Sequence, residues 1–316
     1  MILPSEFSLI ARHFRPLAGP GSLELRDDAA LLTPPPGKQL VLTADAMVAG
    51  VHFLPEDPPD QIGQKLLRVN LSDLAAKGAA PLGYLMTVST PKTTPDAWFA
   101  GFAAGLGRDQ VTYGCTLLGG DTTSTPGPIS LSLTAIGHVA PGRSVHRFGA
   151  SAGDGIWVTG TIGDGALGLQ VALGRLEDKS GFLLDRYRLP CPRVGLAIGG
   201  IASAGMDVSD GLVQDLGHMC RASGVAAEID ADLVPASDAA IAAGPAWLET
   251  RLTGGDDYEL LLAVPPANES ALRAAASAAG IPVTRIGAFH SAAPEVMVRG
   301  PGGKPLALTK GGWSHF

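Results

Sequence analysis

Apolar residues along the chain recur at two periods. Near the N-terminus, Phe7, Ile10 and Phe14 stand at helical spacing behind Ser5, which predicts a short amphipathic helix over Ser5–Phe14 with a serine cap. Leu40–Thr43 and Pro81–Ser89 are apolar runs of strand length, and between them Leu67, Leu71 and Leu74 stripe a helix over Gln64–Lys77. A second helix is predicted from Pro95 to about Tyr113, with Trp98, Phe102 and Leu106 on its face. Strands at Cys115–Leu118 and Ile129–Val139 follow; in the latter, Leu131, Leu133 and Ala135 alternate with polar residues. Gly149–Gly155 reads as a linker or wide turn, after which Ile156–Thr159 opens a strand–loop–helix unit. Helices over Asp210–Ala222 and Glu269–Gly280, and strands over Val225–Ile229 and Leu260–Val264, complete the pattern. Strands and helices alternate in both halves, so the expected class is α+β (α/β mixed), in two domains, 1–148 and 149–316.

Composition narrows the partners. Gly 42 and Pro 25 make about a fifth of the 316 residues, against roughly 12% in average usage, yet 46% of residues are apolar, so the glycines and prolines punctuate a packed chain. A formal net charge of −7 disfavours sequence-independent nucleic-acid binding, which needs a positive face. No apolar run nears the ~18 residues of a membrane span, and the opening lacks the pattern of a secretory signal. Cys115, Cys191 and Cys220 stand far apart with no CxxC pair, which fits a reducing cytoplasm and excludes a thiolate zinc site.

The candidate chemistry lies in the acids. Aspartates recur beside Gly, Ser and Thr in six segments: Arg26-Asp27-Asp28, Thr43-Ala44-Asp45, Asn70-Leu71-Ser72-Asp73, Gly119-Gly120-Asp121-Thr122-Thr123, Asp207-Val208-Ser209-Asp210-Gly211 and Gly254-Gly255-Asp256-Asp257-Tyr258-Glu259. Any one of these reads most simply as a turn or a cap; six at the ends of apolar runs point to loops converging at sheet edges. Two carboxylates about 4 Å apart repel by roughly 4 kcal/mol at an effective dielectric near 20, so a convergent group needs cations. Oxygen ligands without clustered His or Cys select Mg²⁺, Ca²⁺ or Mn²⁺; with no EF-hand loop, Mg²⁺ and phosphoryl chemistry are favoured. Asn70 and Asp73 share a helix face away from the leucines. Ser209 is placed to cap a helix from Asp210 whose first amides would meet a phosphate, and Gly119-Gly120 would let backbone amides approach a nucleotide.

Other motifs carry less. There is no GxxxxGK[ST] and no HRD–DFG pair, so P-loop and protein kinases are excluded. Gly163-Asp164-Gly165-Ala166-Leu167-Gly168 matches a dinucleotide fingerprint in form, but no parallel βαβ with an acidic strand end follows; a tight strand-to-helix turn explains it better. His52 is either structural or in touch with substrate. Arg143 and Arg147 are either solvent-exposed or phosphate-binding. Trp313 is either a chain-end anchor or, beside Asp256, an aromatic face for a cationic heterocycle.

Taken in order, Glu6–Arg12, Val48–Phe53, Val69–Ala76, Gly119–Thr123, Asp207–Leu212, Gly254–Leu260 and the ending Gly312-Trp313-Ser314-His315-Phe316 resemble the thiamine-monophosphate kinase family of the PurM-like superfamily over essentially the whole chain. The resemblance implies a two-domain PurM-like fold: an N-terminal sheet-and-helix domain that forms a homodimer, and a C-terminal α/β domain. It implies ATP-dependent phosphorylation of thiamine monophosphate to thiamine diphosphate, direct and in line, with several Mg²⁺ ions. By position it assigns Asp28, Thr43, Ala44, Asp45, Asp73, Asp121, Asp207 and Asp210 to metal, with Asp121 and Asp210 central to catalysis. Gly120, Asp121, Arg147 and Ser209 fall at ATP-contacting positions, and His52, Asp256 and Trp313 at substrate-contacting ones. Arg26 replaces the family's usual Gly, and Ala44 its frequent hydroxyl residue, leaving only a carbonyl for metal. The rivals are another PurM-like ATP-dependent synthetase and a non-catalytic Mg-nucleotide-binding regulator.

Overall fold

The strand-period stretches of the first half pair into a single four-stranded sheet. In the computed structural model, which describes residues 6–309 and 311–314, the chain divides into two units. The first runs to Leu74 and resumes over Ala79–Pro141; the second holds Ala75–Gly78 and the chain from Gly142 onward.

The first unit contains α1 (Glu6–Leu9), β1 (Gln39–Val48), α2 (Pro59–Ala76, its last two residues in the second unit), β2 (Ala80–Thr90), α3 (Asp96–Tyr113), β3 (Thr116–Ser124) and β4 (Ser130–Val139). The sheet order is β1-β4-β2-β3, antiparallel except for the β2–β3 pair. Leu131, Leu133 and Ala135 are buried as their alternation predicts, in line with Tyr84, Met86 and Val88 on one face. Helices α2 and α3 lie on that face: Leu66, Leu67, Leu71 and Leu74 are buried on one and Phe99, Phe102 and Leu106 on the other, and Gln110 of α3 donates to the Tyr84 hydroxyl. Phe99 takes the buried place expected for Trp98, which is half-buried and stacks on Phe102 at 5.0 Å. The opposite face stays open, with Leu42 63% and Leu85 39% exposed beside exposed Ala44 and Ala46.

The N-terminal helix departs from expectation. Ser5 lies outside the described residues, α1 passes into a π-helical turn over Ile10–Phe14, and the widened turn rotates the apolar stripe. Leu9, His13 and Phe14 are buried while Phe7 is exposed.

The second unit contains β5 (Gly155–Thr159), α4 (Asp164–Ala172), α5 (Phe182–Arg188), β6 (Ala204–Asp207), α6 (Leu212–Ser223), β7 (Ala226–Asp230), α7 (Asp238–Ala243), α8 (Leu248–Thr253), β8 (Leu260–Val264), α9 (Glu269–Ala279), β9 (Val283–His290) and β10 (Val296–Arg299). Its six-stranded sheet has the order β10-β7-β9-β5-β8-β6, with only β10–β7 parallel. β8 is buried along its whole length because both faces are covered. Leu261 and Ala263 join Leu212 and Leu216 of α6, while Leu260, Leu262 and Val264 join Leu272 of α9.

Candidate functional site

β1 runs on to Val48, so Thr43, Ala44 and Asp45 stand inside a strand, not at its end as expected; Asp73 lies inside α2 and Asp121 inside β3. In the β1–β4 register, Thr43 faces Ala135 and Asp45 faces Leu133, which puts both on the helix-covered side. There the Thr43 hydroxyl donates to Asp73 Oδ2 in a short contact, and buried Asn70 accepts the Asp45 N–H at 3.1 Å. Asn70 in turn donates to the Leu66 carbonyl at 2.9 Å. Three hard-oxygen side chains are thus gathered at one sheet edge, a donor chemistry that suits Mg²⁺.

Asp121 is not among them. It stands on β3, the other edge strand, paired with Thr87 of β2 on the face opposite Met86 and Val88. Strands β1 and β3 are three interstrand spacings apart, about 14 Å, so within one copy of this unit the two acidic groups do not meet. Asp28 is exposed in the segment before β1, its amide bound to Asp27 Oδ1 at 2.8 Å. Arg26 has φ −116 and ψ 0, an ordinary conformation that needs no glycine. His52 follows β1 in a turn; its Nδ1 accepts the Val48 N–H at 3.0 Å and its carbonyl accepts Lys65 Nζ at 3.1 Å.

In the second unit the segment after β6 collects most of the predicted residues. Asp207 ends β6 and is buried. The Asp256 N–H donates to the Ser209 carbonyl and the Trp313 N–H to the Asp210 carbonyl, each at 2.9 Å, so Ser209, Asp210, Asp256 and Trp313 come together. Arg147 is exposed and close enough to His218 for its charge to act there. Arg143 is also exposed, its guanidinium beside Gly200.

One expectation here is overturned. Ser209 does not cap α6; the helix begins at Leu212 with Gly211 at the cap position and no side-chain cap. The amides offered to a phosphate are already taken: Asp215 Oδ2 accepts from Ser209, Asp210 and Gly211 at 3.0, 3.1 and 3.2 Å. Burial, then the charges of Asp207 and Asp210, hold the Asp215 carboxyl well above the usual carboxylate range, against the pull of the amides. Asp215 was legible only as an acid in a first helical turn, where the dipole favours one. Oxygen or nitrogen atoms of Asp210, Asp215 and His218 lie within 4.8 Å of one another. However, His218 Nδ1 faces Arg221 at 3.0 Å, and a guanidinium only donates, so the neutral ring keeps its proton on Nε2. Burial first, then Arg221 and Arg147, lower the His218 pKa and favour that neutral form.

Sequence reasoning also passed over the inward acids of the Asp256–Glu259 segment. Asp256 and Tyr258 have φ +72 and +52, and the acids after each are fully buried. Glu259 accepts Thr159 at 2.6 Å, Arg186 at 3.0 Å and Arg193 Nε at 2.6 Å. Asp257 accepts the Gly163 and Gly165 amides at 2.7 and 3.0 Å, which explains the fingerprint-like glycines: their helix N-terminus binds the protein's own carboxylate. A side chain at Gly165 or Gly168 would strike the carbonyl of Asp256 or Leu183.

Comparison with known proteins matches the same span. The family model described as AIR synthase related protein, N-terminal domain, covers residues 26–139, and its C-terminal counterpart covers 151–297. A thiamine-monophosphate kinase of Caulobacter vibrioides is 45% identical, over 99% of this chain and 91% of its own length. The crystal structure of the thiamine-monophosphate kinase of Stenotrophomonas maltophilia K279a superposes with a TM-score of 0.82 at 39% identity, covering 96% of this chain and 98% of that one. AaThiL, in a structure complexed with AMPPCP and TMP, superposes with a TM-score of 0.78 at 31% identity, covering 92% and 91%. No described helix is long and apolar enough to cross a membrane.

Proposed function

The chain belongs to the thiamine-monophosphate kinase family of AIR synthase related proteins, and from that premise we propose that it transfers the γ-phosphoryl group of ATP directly and in line to thiamine monophosphate, with Mg²⁺. The kinase activity follows from family membership; the metal, the geometry of transfer and the residues are our reading.

The observation that carries the metal dependence is the oxygen-only group of Thr43, Asp45 and Asp73, held in place by buried Asn70. We assign Asp28, Thr43, the Ala44 carbonyl, Asp45, Asp73, Asp121, Asp207 and Asp210 to metal, Gly120, Asp121, Arg147 and Ser209 to ATP, and His52, Asp256 and Trp313 to the acceptor. When bound, Mg²⁺ supplies the charge that lets two anionic phosphates approach. No general base is required, because a phosphate monoester with its second pKa near 6 is already ionised at neutral pH. Trp313, 53% exposed and tethered by its amide to Asp210, presents a ring to the acceptor's cationic heterocycle. The open sheet face with Leu42 and Leu85 also bears Asp121, and we place the homodimer contact there. ATP-dependent chemistry and three unpaired cysteines fit the cytoplasm.

The test is direct. Protein incubated with ATP, Mg²⁺ and thiamine monophosphate forms thiamine diphosphate and ADP one for one; EDTA stops turnover and added Mg²⁺ restores it. ADP without thiamine diphosphate, or no product, contradicts the reading. Inversion at phosphorus with a chirally labelled γ-phosphate is expected, and retention would exclude direct transfer.

A further inference from the structure

We propose that Asp215 is a positioning residue for phosphoryl transfer: as an oxygen acceptor it fixes the backbone of Val208–Gly211 so that the Ser209 and Asp210 side chains meet the ligands. This rests on the assignment of Asp207, Ser209 and Asp210 to metal and nucleotide.

Every backbone polar group of Val208–Gly211 has a partner within the protein. The Val208 N–H donates to the Glu259 carbonyl at 2.8 Å, and its carbonyl accepts from Tyr258 at 2.8 Å. The next three amides converge on one atom, Asp215 Oδ2. The Ser209 and Asp210 carbonyls accept from Asp256 and Trp313, and the Gly211 carbonyl from the Asp215 amide at 3.0 Å. Amides therefore turn toward the helix, and two carbonyls turn toward the segments that carry the proposed acceptor residues. No backbone N–H of Ser209, Asp210 or Gly211 is left for an incoming anion, so an anion meets the Ser209 and Asp210 side chains there. Gly211 completes the device: its φ is +121, and a side chain there would lie 2.6 Å from the Thr253 carbonyl.

A direct ligand role for Asp215 fits less well. Its side chain is buried, with the residue 1% exposed, and one oxygen already serves three donors. What the segment requires is an acceptor at that point, and asparagine can supply it without charge.

The experiment compares Asp215→Ala, Asp215→Asn and Asp210→Asn in the full-length protein. It reads kcat, the Mg²⁺ concentration for half-maximal rate, and amide hydrogen exchange at 209–211 against that of β8. Asp215→Ala is expected to cut kcat and raise the Mg²⁺ requirement, together by about 10–100-fold, with fast exchange at 209–211 and protected β8. Asp215→Asn is expected to return most of the rate and the protection. Asp215→Ala with unchanged kcat and Mg²⁺ requirement, beside an inactive Asp210→Asn, overturns the positioning role alone. Asp215→Asn as impaired as Asp215→Ala overturns it too, because charge would then be what matters. A fully active Asp210→Asn removes the premise, whatever Asp215 does. If Asp215→Ala does not fold, exchange in Asp215→Asn decides: unprotected amides at 209–211 refute the proposal.

Discussion

Asn70 Oδ1 accepts the backbone N–H of Asp45 at 3.1 Å, so a fully buried helical side chain sets the pitch of an edge strand where it carries the proposed metal ligands. Asn70→Ala removes this acceptor for the Asp45 amide and the second donor to the Leu66 carbonyl, which keeps its helix hydrogen bond. We expect a loss of about 1–3 kcal/mol in urea unfolding, and a higher Mg²⁺ requirement in turnover. An unchanged unfolding midpoint would show that Asn70 does not hold the strand.

Where local pattern decided the outcome, the fold was legible. β8 spans Leu260–Val264 as its unbroken apolar run predicts, and Leu131, Leu133 and Ala135 face inward as their period requires. Sites depend on register and sheet order, which no local pattern carries. Asp45 and Asp121 look alike in sequence, but strand order puts them on opposite edges and pairing puts them on opposite faces. Likewise nothing local separates Asp215, Asp257 and Glu259, all buried, from surface acids; tertiary packing alone chose which acids turn inward.

Gly119 and Gly120 read as equivalent neighbours, yet they predict opposite outcomes. Gly120 has φ +149, and a side chain there would sit 1.7 Å from the Met86 carbonyl on the adjoining strand. At Gly119 the nearest atom would be the flexible end of Leu85, at 3.4 Å. Gly120→Ala should lose at least about 2 kcal/mol and Gly119→Ala less than about 1 kcal/mol, read from paired chemical denaturation. Equal losses would mean that the β2–β3 approach does not impose the glycine.

The open face of the first sheet predicts self-association. Leu42 and Leu85 are 63% and 39% exposed, and exposed Ala44 and Ala46 leave a second sheet room to approach. Leu42→Asp with Leu85→Asp should convert a dimer to a monomer in sedimentation at micromolar protein, with near-native circular dichroism. A dimer that survives both charges would place the contact elsewhere.

Asp257 predicts a pH dependence of stability. It is fully buried, and desolvation pushes its carboxyl from the ordinary 3.8 up to about 8, only partly offset by the Gly163 and Gly165 amides. Asp164 adds to the rise and Arg186 opposes it. A raised folded-state pKa means that the native protein binds this proton more tightly than the unfolded chain does. Its contribution is fully present below about pH 4, declines as pH rises, and is gone above about pH 8. Asp257→Asn keeps one acceptor but turns an NH₂ group toward the second amide, so it should cost stability at low pH, where the wild-type carboxyl is protonated. It cannot take up the proton, however, so the difference in unfolding free energy between wild type and variant should shrink steadily from pH 5 to pH 8. Urea titrations of both proteins at half-unit steps measure that difference directly. A constant gap across the range would mean that Asp257 is ionised throughout, held as a carboxylate by the two amides and Arg186.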